Sequence, residues 1–180
     1  MPVDPSALPR RRRLLRGLLI LAGVLLAVIA LTAAIGATLP VRHSAAREAV
    51  YPASRDSLYA LITDVSRFTS WRSGLERVEE HPPVAGKARW VEVSGDGEIL
   101  FEAVESVPAV RRVTRIADPE LPFGGTWTFE LEDAPEGTRV RITEDGEVYN
   151  PIFRFLSRFV FGHDGGIERF LADLGAAVRR

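Results

Sequence analysis

The chain has 180 residues, a formal net charge of −1, 46% apolar residues and no cysteine. That length and apolar content suit one ordinary domain plus an appendage, and the missing thiol excludes disulfides, thiol catalysis and cysteine-ligated metal sites. Six of the 23 Lys and Arg residues but one of the 24 Asp and Glu fall in residues 1–43, leaving 17 basic against 23 acidic side chains in 44–180. With no basic stripe on so acidic a domain, nucleic acid is not expected as a partner.

At the amino end, Arg10, Arg11, Arg12, Arg13 and Arg16 precede the charge-free run GLLILAGVLLAVIALTAAIGATL, residues 17–39. As a helix this run would extend roughly 34 Å, against about 30 Å for a hydrocarbon core. A cleaved signal peptide shares the basic start, but its apolar core is only about 7–15 residues and a small-residue cleavage site follows promptly. A buried soluble helix is the third alternative. The preferred reading is a basic cytoplasmic tail over 1–16, a transmembrane helix over 17–39, a linker over 40–47 and a folded domain over 48–180. Five arginines before the span, against Arg42 and Arg47 close after it, put the amino end in the cytoplasm. The protein is then a single-pass protein of the cell membrane with its carboxy-terminal domain outside the cytoplasm.

The domain opens with an extended segment ending at Pro52. Ser54 can cap the helix that follows, in which Leu58, Leu61, Ile62 and Val65 recur at helical spacing. Asp64 is assigned to capping the turn after it, and a short second helix in SRFTSWRSG ends at Gly74. Alternation then takes over. LERVEEH, KARWVEVSGDGEILFEAVESV, RRVTRIAD and GGTWTFELEDAPEGTRVRITEDGEV read as about six to seven strands with Gly- and Pro-rich turns between them. In TWTFEL, Trp127, Phe129 and Leu131 share one face and the polar residues the other, as in an antiparallel sheet covered on a single side.

The cover is expected from the terminal segment. At 100° per residue Ile152, Phe153, Phe155, Leu156, Phe159, Val160, Ile167, Phe170, Leu171, Leu174 and Val178 fall on the side of His163. The phase persists across GHDGG, which predicts one long helix from about Pro151. Its interior glycines, Gly162, Gly165 and Gly166, each cost roughly 1 kcal/mol relative to alanine. They mark a place where the helix comes close to the sheet or leaves room for a ligand.

The stretch YPASRDSLYALITDVSRFTSWRSGLERVE resembles the opening signature of the START-like SRPBCC superfamily, in its polyketide cyclase/dehydrase and lipid-transport branch. The matching points are the strand ending at Pro52 and Ala53, the helix to Asp64, and Phe68 with Trp71 before Gly74. GTWTFELEDAPEGTRVRITEDGEVYNPIFRF resembles that branch's closing hairpin and its entry into the long helix, so the likeness covers residues 44–180. It implies an α+β helix-grip fold, in which a curved antiparallel sheet and a long C-terminal helix enclose a cavity for an apolar ligand. It does not by itself choose an activity.

Candidate ligand-cavity residues are Trp71, Trp90, Phe101, Trp127, Phe129, Tyr149, Phe155, Phe159, His163, Gly166 and Phe170. Glu92 and Arg115 lie on strands with apolar neighbours, but charged side chains are seldom buried unpaired, so both are expected to face solvent. The loop ADPELPFGGTW, with Leu121 and Phe123, suits either a gate or a plain connection. No Ser-His-Asp arrangement, phosphate loop, dinucleotide fingerprint or metal-ligand spacing is present, and no cofactor or metal is expected. The expectation is a membrane-anchored protein that binds a hydrophobic small molecule or lipid without catalysis. Two other classes stay open. One is a cyclase or dehydratase using His163, with Tyr149, as acid and base; the other is a non-catalytic envelope partner module.

Overall fold

The computed structural model describes residues 7–95, 97–161 and 165–180, without the side chains of 7–13 and 161. Helix α1 (Ala7–Thr38) carries the apolar run. Its stretch Leu14–Thr38 is long and apolar enough to cross a membrane. Every residue from 14 to 31 is exposed, and exposure falls only at Thr32, Ala33 and Gly36. There α1 packs on helix α4 (Pro151–Leu156), and Gly36 meets the Pro151 carbonyl so closely that a Cβ would collide with it.

Strand β1 (Arg42–Tyr51) starts almost at once. Most of the expected linker over 40–47 is therefore strand, because residues 42–51 pair in register with Glu147 to Thr138 of β7 (Gly137–Val148). Helix α2 (Arg55–Thr63) follows, with the Ser54 hydroxyl accepting from the Ser57 N–H at 3.2 Å as the sequence suggested. Asp64 lies at the start of a 3-10 turn, Val65–Arg67, where its carboxylate accepts from the Ser66 hydroxyl rather than capping the backbone. Helix α3 (Phe68–Trp71) then leads into a meander: β2 (Leu75–Val84), β3 (Lys87–Ser94), β4 (Gly97–Val107), β5 (Arg111–Ile116), β6 (Phe123–Ala134) and β7.

The seven strands form one antiparallel sheet in the order β1-β7-β6-β5-β4-β3-β2. Register shifts at Leu75/Arg77, His81/Val84 and Ala103/Glu105 bend the strands. The β2–β3 hairpin turns on Ala85 and Gly86, both at positive φ, the pairing that matches a two-residue loop to strand twist. The outer face is polar. On it the buried Glu102 carboxylate is met by Arg115 at 3.2 Å and Lys87 at 3.4 Å. The inner face packs Leu131, Val140 and Ile142 against Leu58 and Ile62 of α2 and against Ile167, Phe170, Leu171 and Leu174 of α5 (Gly165–Val178). Each such fully buried aliphatic side chain contributes about 1.5–3 kcal/mol.

The terminal segment is where structure and periodicity part. Asn150 caps α4 by accepting from the Ile152 and Phe153 N–H groups, with Pro151 in the first turn. A π turn, Ser157–Phe161, comes next, and Gly162, His163 and Asp164 lie outside the described residues. A π turn takes more residues than an α turn, so the 100° phase does not carry through it. Ile167, Phe170, Leu171 and Leu174 face the core as predicted, whereas Phe153, Phe159 and Val160 are exposed, between 50% and 61%.

Helix α5 is fastened by side chains in its second half. The Asp173 carboxylate accepts from the Ser73 N–H and hydroxyl at 2.7 and 2.8 Å. Tyr51 donates its hydroxyl to the Leu171 carbonyl at 2.6 Å, and its ring fits against Gly175. Burial pushes the Tyr51 phenol up to about 12 against the opposing pull of Arg179. The folded state therefore holds this proton more tightly than the unfolded chain, so the contribution is complete below pH 10 and is lost as pH rises towards 12. Tyr51→Phe should lower stability by about 1 kcal/mol near neutral pH through the lost hydrogen bond. The gap between wild type and variant should then shrink by about 1 kcal/mol by about pH 11, read by chemical denaturation at about pH 8 and 11.

Candidate ligand cavity

A cavity of about 510 Å³ lies between the inner face of β3–β7 and the α3 and α4–α5 segments. Its wall is mainly aromatic. Trp90 stacks on Phe101 with centroids 5.8 Å apart, while Phe170 meets Trp127 and Phe129 at 5.9 and 5.3 Å. Edge-on and offset contacts of this kind fix ring positions and leave a rigid apolar surface. Gly166, on the first turn of α5, presents no side chain, and a Cβ there would rest 3.4 Å from the Trp127 ring.

Three carboxylate residues are in the lining; Glu147 is at the rim and bonds Arg42 and Tyr149 in the outer groove, while Glu92 and Glu144 interrupt the apolar wall. Trp90 and Glu92 are two residues apart on β3 and so share its inner face. Glu92 is buried at 8% exposure and accepts from Arg72 at 2.7 Å and from the Trp90 indole N–H at 3.0 Å, both through Oε1. The Arg72 guanidinium in turn stacks over Phe68 and Phe170, 4.9 and 5.2 Å from their centroids. The second carboxylate, Glu144 on β7, accepts from the Trp127 indole N–H at 2.8 Å and pairs with His43 Nε2 at 3.1 Å. His43 stands opposite Gly146 in the β1–β7 ladder, and only a glycine leaves room for the imidazole there. Beyond Trp90, Arg112 lies 5.4 Å from the indole centroid; burial pushes its guanidinium below the usual range and Tyr59 partly restores it.

The exposed large apolar residues of the lining, Phe123 and Phe153, mark the mouth. Outside it, a shallow groove on the outer face holds Arg42, Arg115, Glu147 and Tyr149. Hydrogen bonds from the Tyr149 hydroxyl at 2.9 Å and from Arg42 hold the Glu147 carboxyl below its usual range, and the same bond pushes the Tyr149 phenol up.

Of the residues picked from the sequence, Trp90, Phe101, Trp127, Phe129, Gly166 and Phe170 come together around the cavity. Trp71 is buried one layer behind, edge-on to Phe170 at 5.2 Å. Tyr149 is in the outer groove, and Phe155 and Phe159 pair with each other at 4.9 Å away from the lining. His163 lies outside the described residues. Glu92, expected in solvent, is buried because Arg72 and Trp90 both bond it, whereas Arg115 is half-exposed as expected. Arg72, His43 and Glu144 were not singled out. Strand alternation carries a signal for Glu92 beside Trp90, but His43 is identified only by the β1–β7 register.

Residues 51–167 match the model of the family described as polyketide cyclase / dehydrase and lipid transport. The chain belongs to this family. No curated protein matches the chain significantly in sequence. Among solved structures, the family member is similar to TTHA0849 from Thermus thermophilus, at 25% identity and a TM-score of 0.59, over 77% of this chain and 97% of that one. It is also similar to the di-domain ARO/CYC StfQ from the steffimycin biosynthetic pathway (13% identity, TM-score 0.61, 77% of this chain, 52% of that chain). A third, the di-domain ARO/CYC BexL from the BE-7585A biosynthetic pathway, aligns at 13% identity and TM-score 0.65 over 98% of this chain and 62% of that chain. The chain thus spans about half of StfQ, and the two di-domain proteins speak for the shared fold alone. That fold is the helix grip: a curved antiparallel sheet closed by the C-terminal helix.

The Arg72–Glu92 pair supplies a stability test of the site. Removing one partner of a buried pair strands the other charge and costs about 3–5 kcal/mol, while replacing both by apolar groups costs far less. Arg72→Met should therefore lower the thermal unfolding midpoint of the full chain in detergent markedly. The double variant Arg72→Met with Glu92→Leu should recover most of that loss.

Proposed function

We propose that this protein is a membrane-anchored binding protein for an uncharged hydrophobic small molecule or lipid, carried in the cavity without covalent change. The cavity's chemistry carries the reading. Its volume and aromatic wall suit a ligand of drug or lipid-fragment size. Its carboxylates Glu92, Glu144 and Glu147 already have donors, and its Arg72 cation is already committed to Glu92. An acidic ligand would meet Glu92 and Glu144, whereas a neutral one bearing a hydroxyl would find Glu92 Oε2, which has no partner among the described residues. The family's lipid-transport members and the exposed apolar helix Leu14–Thr38 support the same reading. Five arginines on the amino side of that helix support an amino end in the cytoplasm and a domain outside it.

A second reading rests on one observation. Glu144 orients the His43 imidazole at the cavity wall, as an acid/base group is held in a cyclase or dehydratase. The two readings differ in the fate of the ligand: carriage returns it unchanged, whereas dehydration returns it lighter by one water. Gly166→Leu should lay an isobutyl group over Trp127 and fill part of the cavity while improving helix propensity. Uptake of a neutral fluorescent lipid analogue by the full chain should fall about tenfold, with no drop in unfolding temperature. Unchanged uptake in that variant would place the ligand elsewhere.

A further inference from the structure

We propose that the mouth of the cavity docks into the bilayer interface, so that ligand passes between membrane and cavity without crossing water. This rests on the reading of α1 as a membrane span. The contact that carries it is between α1 and α4. Gly36 abuts the Pro151 carbonyl, and Arg154 at the next turn of α4 donates to the Leu39 carbonyl at 2.9 Å, closing the carboxy-terminal end of α1. The residues of α1 that lose exposure, Thr32, Ala33 and Gly36, lie within its charge-free stretch, which continues to Thr38. At about 1.5 Å per residue, α4 therefore accompanies about the last 10 Å of that stretch. A span of 25 residues exceeds a core of about 30 Å by roughly 7 Å, so the end of α1 beside α4 lies at the boundary between acyl chains and headgroups.

The surface around that junction fits a phospholipid interface. Among the described residues, the exposed aromatic side chains are Phe123, Tyr149, Phe153 and Phe159, and the first three are tied to the α1 end by short links. Val148 donates to the Val41 carbonyl, Tyr149 to the Pro122 carbonyl, and Arg154 to the Tyr149 carbonyl. Phe159 continues the same segment, followed by Val160 at 61% exposure and preceded by the exposed Arg158. Aromatic rings with an arginine that can reach phosphate are the composition of an interfacial segment. Phe123 and Phe153 also line the cavity, so the part of the domain set against lipid is the part that opens.

The chain has no cysteine, which makes depth measurement direct. Single variants Phe159→Cys, Val160→Cys, Leu25→Cys in α1 and Val107→Cys at the β4–β5 turn would carry a nitrobenzoxadiazole label. They would be reconstituted as full chain in phosphatidylcholine vesicles containing doxyl-labelled lipid. Labels at 159 and 160 should be quenched by the lipid nitroxide about threefold more than the label at 107. Quenching at 25 with none at 159 or 160 would overturn the docking and leave the anchor standing. Absence of quenching at all four positions would overturn both.

Discussion

The structure depends on how the wide inner face of a seven-stranded sheet is covered by too little helix. Fourteen residues of α5 are pinned over one part of it by Tyr51 and Asp173, and there Ile167, Leu171 and Leu174 make an ordinary close-packed core. The described residues before it, 151–160, reach the sheet only at the cavity rim, through Phe153 and Ser157. A π turn breaks the helical phase and α4 packs against α1 instead, so the face bearing Trp90, Trp127 and Phe129 is left partly open. The cavity is the consequence of dividing one helix between two partners.

Such an opening would be costly if its buried carboxylates had no donors, and Glu92 and Glu144 each have two. Glu92 and Glu144 each accept from the indole N–H of a neighbouring tryptophan and pair with one basic side chain. The tryptophans thereby do two things: their rings form the apolar surface, and their N–H groups hold the charges that give the surface direction. A ligand of the proposed kind would satisfy both with an apolar body and a neutral polar end.

Much of this was legible in the sequence. The charge-free run, the two short helices, the alternating strands and the closing helix each follow a local period, and residues such as Trp127, Phe129 and Phe170 showed their inward faces through it. What escaped depends on partners far along the chain. His43 sat in an apparent linker because only pairing with β7 makes β1 a strand. Glu92 looked solvent-bound because its neutralising Arg72 lies twenty residues away on another element. Phe155 and Phe159 followed the helical wheel, but a wheel assumes a uniform period and cannot register a π turn or a competing helix at the amino end.

The same division of the terminal helix joins the apolar helix α1 to the cavity, since α4 is at once the neighbour of α1 and the rim of the opening. If α1 spans a membrane and the cavity holds a ligand, as proposed, the short helix shared by both suits short-range exchange with a bilayer. The most direct test of ligand carriage is native mass spectrometry of the full chain released from nanodiscs. A uniform, neutral small-molecule adduct is expected, one that disappears on heating or exchange with excess lipid. Bare protein mass throughout, together with exclusion of neutral apolar probes from the folded chain, would contradict it.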